Sequence, residues 1–363
     1  MYEAVGFSVR PHPDAKRARM REARSAVIHE RLDRVRENLG KSLFAGLTKG
    51  LRSDTSLQRR LFLCGSAASC VAHLTGCAGI STATLDRLGS EVVHADVNFN
   101  DIYTYAERSN TAYQDKRAIK SKYPLTIRIN SPDGTQVRYF LERDDKAHTQ
   151  FITVRGTHGN KNLAEDLEIT VREDRKVDIP VHAGFDSDAR AIYNDVKPHL
   201  KPGYKTYVTG HSLGGAVAAI LAIYLIEDGF QVERVVTFGQ PRFTTADGVK
   251  RLGFLPLMRV VDENDVVPMV APSTYLDPKY GPYDQVGPEV VLLEGPDFVF
   301  LPSHDASRID LGEFWRSLTF ANLQDHEMPN YLRRIESKFT GAREVPYTQR
   351  QRYIVASADQ LRP

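Results

Sequence analysis

The chain has 363 residues, 41% of them hydrophobic and 26% charged, a composition that excludes fibrous and wholly disordered classes and leaves room for a large apolar core. The net charge of +2 hides an asymmetry: residues 1–60 hold 14 Lys+Arg against 7 Asp+Glu, whereas the remainder holds 34 against 39. The basic excess therefore belongs to an N-terminal arm, which lacks aromatic interleaving and any nucleic-acid motif, so no nucleic-acid partner is expected.

Residues 1–56 form this basic accessory arm, in which Val27, Ile28, Leu32, Val35 and Leu39 recur at helical spacing over Ser25–Leu39. Residues 57–77 differ sharply. Two arginines precede an uncharged, small-residue stretch from Leu61 to Gly76, shorter than the roughly 20 residues a membrane span needs and of signal-core size. Arg59-Arg60-Leu61-Phe62-Leu63 resembles a twin-arginine export signal, and Leu74-Thr75-Gly76-Cys77 resembles a bacterial lipobox. The expectation is a lipid-modified Cys77 that anchors the exported protein to the membrane surface of a bacterial cell envelope. The alternative is a buried Ala/Gly-rich helix of a cytoplasmic protein. Cys64, Cys70 and Cys77 are the only cysteines and form no C-x-x-C pair, so neither zinc nor a redox centre is expected.

A larger domain is expected over 95–340, followed by a tail at 341–363. Its text opens with a polar, Tyr-containing helical segment, 96–117. Three strand candidates follow at Leu125–Ile129, Val137–Glu142 and Thr149–Arg155, the first two separated by the turn Ser131-Pro132-Asp133-Gly134. A helix is predicted from Asp186 to Leu200. Strands are predicted at Thr206–Thr209, Val232–Phe238 and Leu257–Val261, a hairpin at Pro288–Leu293 and Phe298–Leu301, and a helix from around His326 to Phe339. Strands alternating with helices predict an α/β fold with a mostly parallel central sheet covered on both faces.

The chemistry centres on Gly210-His211-Ser212-Leu213-Gly214. A β-branched run precedes this G-x-S-x-G pattern and the apolar run Ala216–Leu225 follows it, the context that lifts a serine hydroxyl onto a sharp strand-to-helix turn. Serine is a poor nucleophile near neutral pH and needs a histidine base oriented by a carboxylate. Asp262 and Asp265 both follow the strand Leu257–Val261. Asp265, anchored by Val266-Val267-Pro268, is the expected acid and Asp262 the alternative. Only His304 and His326 lie downstream, and His326, at a loop-to-helix junction, is the expected base. The expected oxyanion donors are the backbone N–H of Leu213 and Thr157, which leaves the strand ending at Arg155.

These motifs resemble the class 3, or fungal-type, lipase family of α/β-hydrolases. The match runs in order through VRGTHGNKNLAEDL (154–167), VHAGF (181–185), VTGHSLGGAVAAILA (208–222), VVTFGQPR (235–242) and VVDENDVVP (260–268), and ends in DHEMPNYL (325–332), similar to the histidine motif of the plant and bacterial branch. The resemblance implies hydrolysis of carboxylic esters, acylglycerol or phospholipid, without metal or cofactor. It also implies that Asp265 is the catalytic aspartate. A departure is Leu163, where the family often has Trp. The lid-like segment 158–168 holds only Leu163 and Leu167 as large apolar residues, which favours shorter esters or phospholipids over long-chain triacylglycerol. An acyltransferase using the same acyl-enzyme and a non-catalytic scaffold are the alternatives, distinguished by products with an added alcohol and by reaction with a fluorophosphonate.

Overall fold

The computed structural model describes residues 92–93, 95–157, 171–174, 176–263, 265, 267–269, 276–277, 279–303 and 325–347. The expected arm helix, the 57–77 signal with Cys77, segment 158–168 and His304 lie outside the described residues.

Helices α1 (Phe99–Thr111) and α2 (Lys116–Lys122) open the described chain, each capped by a side chain, Asn98 and Asp115, accepting a backbone N–H of the first turn. Strands β1 (Thr126–Asn130), β2 (Arg138–Asp144) and β3 (Thr149–Arg155) form an antiparallel meander. Strands β4 (Val171–Asp174) and β5 (Ile179–His182) lead into α3 (Ala183–Val196). Strand β6 (Lys205–His211) runs into α4 (Leu213–Glu227), and β7 (Val232–Phe238) follows. Next come β8 (Thr244–Thr245), α5 (Ala246–Arg251), β9 (Leu257–Asp262), β10 (Leu276–Asp277) and β11 (Gly281–Asp284). Strands β12 (Glu289–Leu292) and β13 (Asp297–Leu301), helix α6 (Met328–Glu336) and strand β14 (Arg343–Glu344) complete the described elements.

The principal sheet has the order β1-β2-β3-β6-β7-β9-β12-β13-β14, and its centre from β3 to β12 is parallel. Parallel neighbours must be buried on both faces, and they are. On one face α3 and α4 pack with Ile152, Val154, Val208 and Val235. On the other, α1 and α6 pack with Val236, Phe238, Val260 and Val290. Helix α4 is buried without interruption from Gly214 to Leu225, which explains why its sequence is apolar on every side. This α/β-hydrolase architecture carries its loops at the carboxyl ends of the parallel strands, where ligands meet open α/β sheets.

Three features depart from the sequence-based expectation. The helical segment expected at 96–117 is divided into α1 and α2, because Asp115 caps a new helix that runs to Lys122. A second, five-stranded sheet, β10-β11-β8-β5-β4, was not expected, because its strands are two to four residues long and show no sustained alternation. Helix α3 begins at Ala183 instead of Asp186, since His182 Nδ1 accepts the Phe185 N–H at 3.4 Å and fixes an earlier first turn.

Candidate active site

Ser212 stands between β6 and α4 with φ 60° and ψ −137°. That region is sparsely populated by residues with a side chain and costs about 1–3 kcal/mol. Its backbone is held on both sides. Ser212 N–H donates to Phe238 O at 2.9 Å, and Ser212 O accepts from Gly215 N–H at 2.8 Å. The turn is possible only because Gly210 and Gly214 are in contact: a Cβ on Gly210 would lie 2.2 Å from Gly214 O, and one on Gly214 would lie 2.6 Å from Gly156 N. The N-terminus of α4, with Leu213 as its first residue, directly follows the serine, and a helix N-terminus favours negative charge.

Of the two aspartates at the end of β9 and just beyond it, Asp265 meets the histidine. His326 Nδ1 lies 2.7 Å from Asp265 Oδ2, with both residues buried. Asp265 is fixed further by the Tyr331 hydroxyl, which donates to Oδ2 at 2.5 Å, and by the Val267 N–H, which donates to Oδ1 at 2.9 Å. A carboxylate accepting at both oxygens holds the imidazole with its proton on Nδ1, and Nε2 is then free to accept a proton. Nε2 is buried and has no hydrogen-bond partner among the described residues. Asp262, the alternative acid, instead faces Arg334 Nε at 2.7 Å. The same guanidinium reaches Glu263 at 2.9 Å and Glu294 at 3.2 Å. Burial, opposed by Arg334, pushes the Asp262 carboxyl up to about 8.

Gly239 connects the serine to this pair. It follows Phe238, whose carbonyl accepts from Ser212, and a Cβ on it would lie 2.7 Å from Asp265 Oδ2 and 2.8 Å from His326 Nδ1. His211 makes a second connection. Its ring lies 4.5 Å, centroid to centroid, from that of His326, and its Nε2 is 2.7 Å from His326 O. A carbonyl only accepts, so Nε2 carries the proton and Nδ1 accepts from the Tyr113 hydroxyl at 2.8 Å. Burial, and then the neighbouring His326, hold the His211 pKa well below its ordinary value, so this ring stays neutral.

Thr157 leaves β3 beside the same turn. A Cβ on the preceding Gly156 would lie 3.2 Å from Ser212 Cβ and 2.8 Å from His211 O. The phenolic oxygen of Tyr113 faces the Gly156 backbone N–H, so one tyrosine touches both the loop toward Thr157 and His211. Sequence reasoning did not single out Tyr113, Tyr331, His211 or Gly239 as parts of the site. Tyr331 and His211 lie inside motifs already recognised, but nothing in a linear pattern shows which oxygen a hydroxyl will reach.

Residues 151–275 match the family model described as lipase (class 3). The lipase of Rhizopus niveus is 32% identical over 220 residues, covering 54% of this chain and 56% of that protein. A chloroplastic phospholipase A1 of Arabidopsis thaliana is 27% identical over 164 residues, covering 40% of this chain and 23% of that one. The chain thus spans about half the length of the Rhizopus relative it matches. The crystal structure of a lipase from Rhizopus microsporus var. chinensis superposes with a TM-score of 0.51 at 23% identity, covering 64% of this chain and 89% of that one. That likeness bears on the fold. Residues 151–275 are thus similar to the class 3 lipases, and the structural likeness supports an α/β-hydrolase fold.

Proposed function

We propose that this protein is a serine hydrolase that cleaves carboxylic esters of lipids through an acyl-enzyme. The observation that carries the reading is the buried Asp265–His326 contact at 2.7 Å, with Nε2 left without a partner, beside a serine held at φ 60°. In the first half-reaction Ser212 Oγ attacks the ester carbonyl carbon while His326 Nε2 takes the hydroxyl proton. The carbonyl π pair moves to oxygen, which accepts hydrogen bonds from Leu213 N–H and Thr157. Collapse expels the alcohol, which leaves with the proton from Nε2. In the second half-reaction water repeats the sequence, Nε2 again taking and returning a proton, and the fatty acid departs. Asp265 accepts the Nδ1–H and stabilises the imidazolium.

The substrate class is an acylglycerol or phospholipid ester. Names of both kinds occur among the relatives, and the plant relative and the DHEMPNYL motif support the plant and bacterial branch. The sparse apolar content of segment 158–168 favours shorter acyl chains or phospholipids over long-chain triacylglycerol. The protein acts outside the cytoplasm, anchored through a lipid on Cys77. Labelled palmitate should enter the parent chain and not Cys77→Ala, and an unlabelled parent would remove this element.

A fluorophosphonate probe tests the central reading. It should label the parent chain and leave Ser212→Ala unlabelled. An unlabelled, folded parent, with no turnover across esters of graded chain length and a phospholipid panel, would overturn it.

A further inference from the structure

The edge of the principal sheet farthest from β14 carries a feature that the hydrolytic site does not use. Helix α2 and strand β1 enclose an open groove of about 470 Å³, lined by Lys116, Arg117, Lys120, Ile127, Arg128 and Ile129. Arg128 is paired with Asp195, and Lys122, at the end of α2, is paired with Glu107. Asp115 is engaged as the N-cap of α2, accepting from Ala118 N–H at 2.8 Å. Lys116, Arg117 and Lys120 have no ion pair among the described residues. Three unpaired cations in five positions run against the sign of a chain that, beyond residue 60, holds 34 Lys+Arg against 39 Asp+Glu.

Ile127, which lines the groove with these cations, and Leu125, the residue before β1, are two of the few large apolar side chains exposed on the described surface, at 45% and 49%. They are two residues apart, and Ile129, beyond the register shift between Thr126 and Arg128, also lines the groove. Tyr123 and Ile129 continue the apolar character inward to Ile119 and Phe140. Apolar side chains flanked by long cationic ones match a bilayer interface: the aliphatic groups enter the headgroup boundary while the ammonium and guanidinium heads meet lipid phosphates. The groove lining holds no aromatic ring on which a nucleobase could stack. Lys116 lies three residues beyond Tyr113, whose hydroxyl is 2.8 Å from His211, the neighbour of Ser212.

We propose that the β1–α2 edge is a docking surface for a bilayer containing anionic phospholipid. Lys116, Arg117 and Lys120 supply the attraction, and Leu125 and Ile127 supply the shallow insertion. This contact is separate from any lipid on Cys77 and does not require hydrolysis.

The test is co-sedimentation of the full chain, carrying Ser212→Ala to prevent turnover, with vesicles of phosphatidylcholine alone or mixed with phosphatidylglycerol. The mixed vesicles should bind it and the neutral ones should bind it far less. Lys116→Glu/Arg117→Glu/Lys120→Glu should lower partitioning to mixed vesicles by ~10²-fold, and Leu125→Ser/Ile127→Ser should lower it less, at unchanged salt sensitivity. The arm variant Arg31→Glu/Arg34→Glu/Arg36→Glu should retain most binding. In the Ser212 background, none of the groove substitutions should change turnover of a soluble short-chain ester, which checks that the variants are folded and separates this proposal from the hydrolase reading. No binding of the parent to mixed vesicles, equal binding to neutral ones, full binding by the triple groove variant, or loss of binding only in the arm variant would each overturn the assignment.

Discussion

Gly239→Ala isolates the geometry on which the proposed chemistry depends, because the substitution adds one carbon and removes no functional group. The residue sits at φ 55°, where an alanine costs roughly 1–2 kcal/mol. The larger effect is steric. The new Cβ would lie 2.7 Å from Asp265 Oδ2 and 2.8 Å from His326 Cε1 and Nδ1. Ordinary contact between such atoms is about 3.5 Å, so the acid–base pair must retreat by roughly 0.7 Å. Displacements of this size in a reacting constellation cost ~10²-fold in rate. The assay is turnover of a soluble short-chain ester, normalised to the fraction of molecules that react with a fluorophosphonate, with a denaturant curve on the same preparation. The stability loss should be modest and the turnover loss large. Turnover per reactive site equal to that of the parent chain would refute the reasoning, because Gly239 would then not govern the position of His326.

Further substitutions test the remaining contacts. Asp265→Asn should lower turnover by ~10⁴-fold through the wrong imidazole tautomer; if Asp262→Asn is the crippling change and Asp265→Asn is harmless, the acid is misassigned. Tyr331→Phe removes a 2.5 Å hydrogen bond to the Asp265 carboxylate, worth about 1.5–3 kcal/mol, and should lower turnover by roughly 10–100-fold while leaving fluorophosphonate labelling complete at long times. Thr157→Val keeps the backbone donor and deletes the hydroxyl, so a fall of ~10²–10³-fold in turnover would assign oxyanion donation to the side chain, and an unchanged rate would assign it to the N–H. Asp262 supplies a pH test. Its folded pKa of about 8 lies above the unfolded value, so the native state binds the extra proton. Its stability contribution is complete below about pH 4 and is lost as pH rises through about 8, with a slope of up to about 1.4 kcal/mol per pH unit. Urea curves at pH 5 and 9 should therefore converge more closely in Asp262→Asn than in the parent chain; an identical pH dependence would contradict the burial argument.

The sequence alone determined the elements whose signal is local. The strand before Ser212, the apolar helix after it, the β-branched run Val232–Phe238 and the hairpin at 288–301 depend on side chains spaced at strand or helix periods, and each was found within three residues of its place. The order serine, aspartate, histidine along the chain was legible for the same reason: each candidate lies at the end of a recognisable element. Tertiary structure decided what depends on distance between remote segments. Asp262 and Asp265 are equivalent as turn-forming aspartates in one loop, and only the fold turns one toward Arg334 and the other toward His326, 61 residues away. The short strands of the second sheet gain definition from their neighbours, since two-residue pairings such as β8 with β11 carry too little local preference to form alone. Tyr113 reaches His211 across 98 residues and Tyr331 reaches Asp265 across 66, and no periodicity encodes such pairings. A hydrogen bond is fixed by the position of two atoms in space, and packing of α1 and α6 against the sheet is what brings those atoms together.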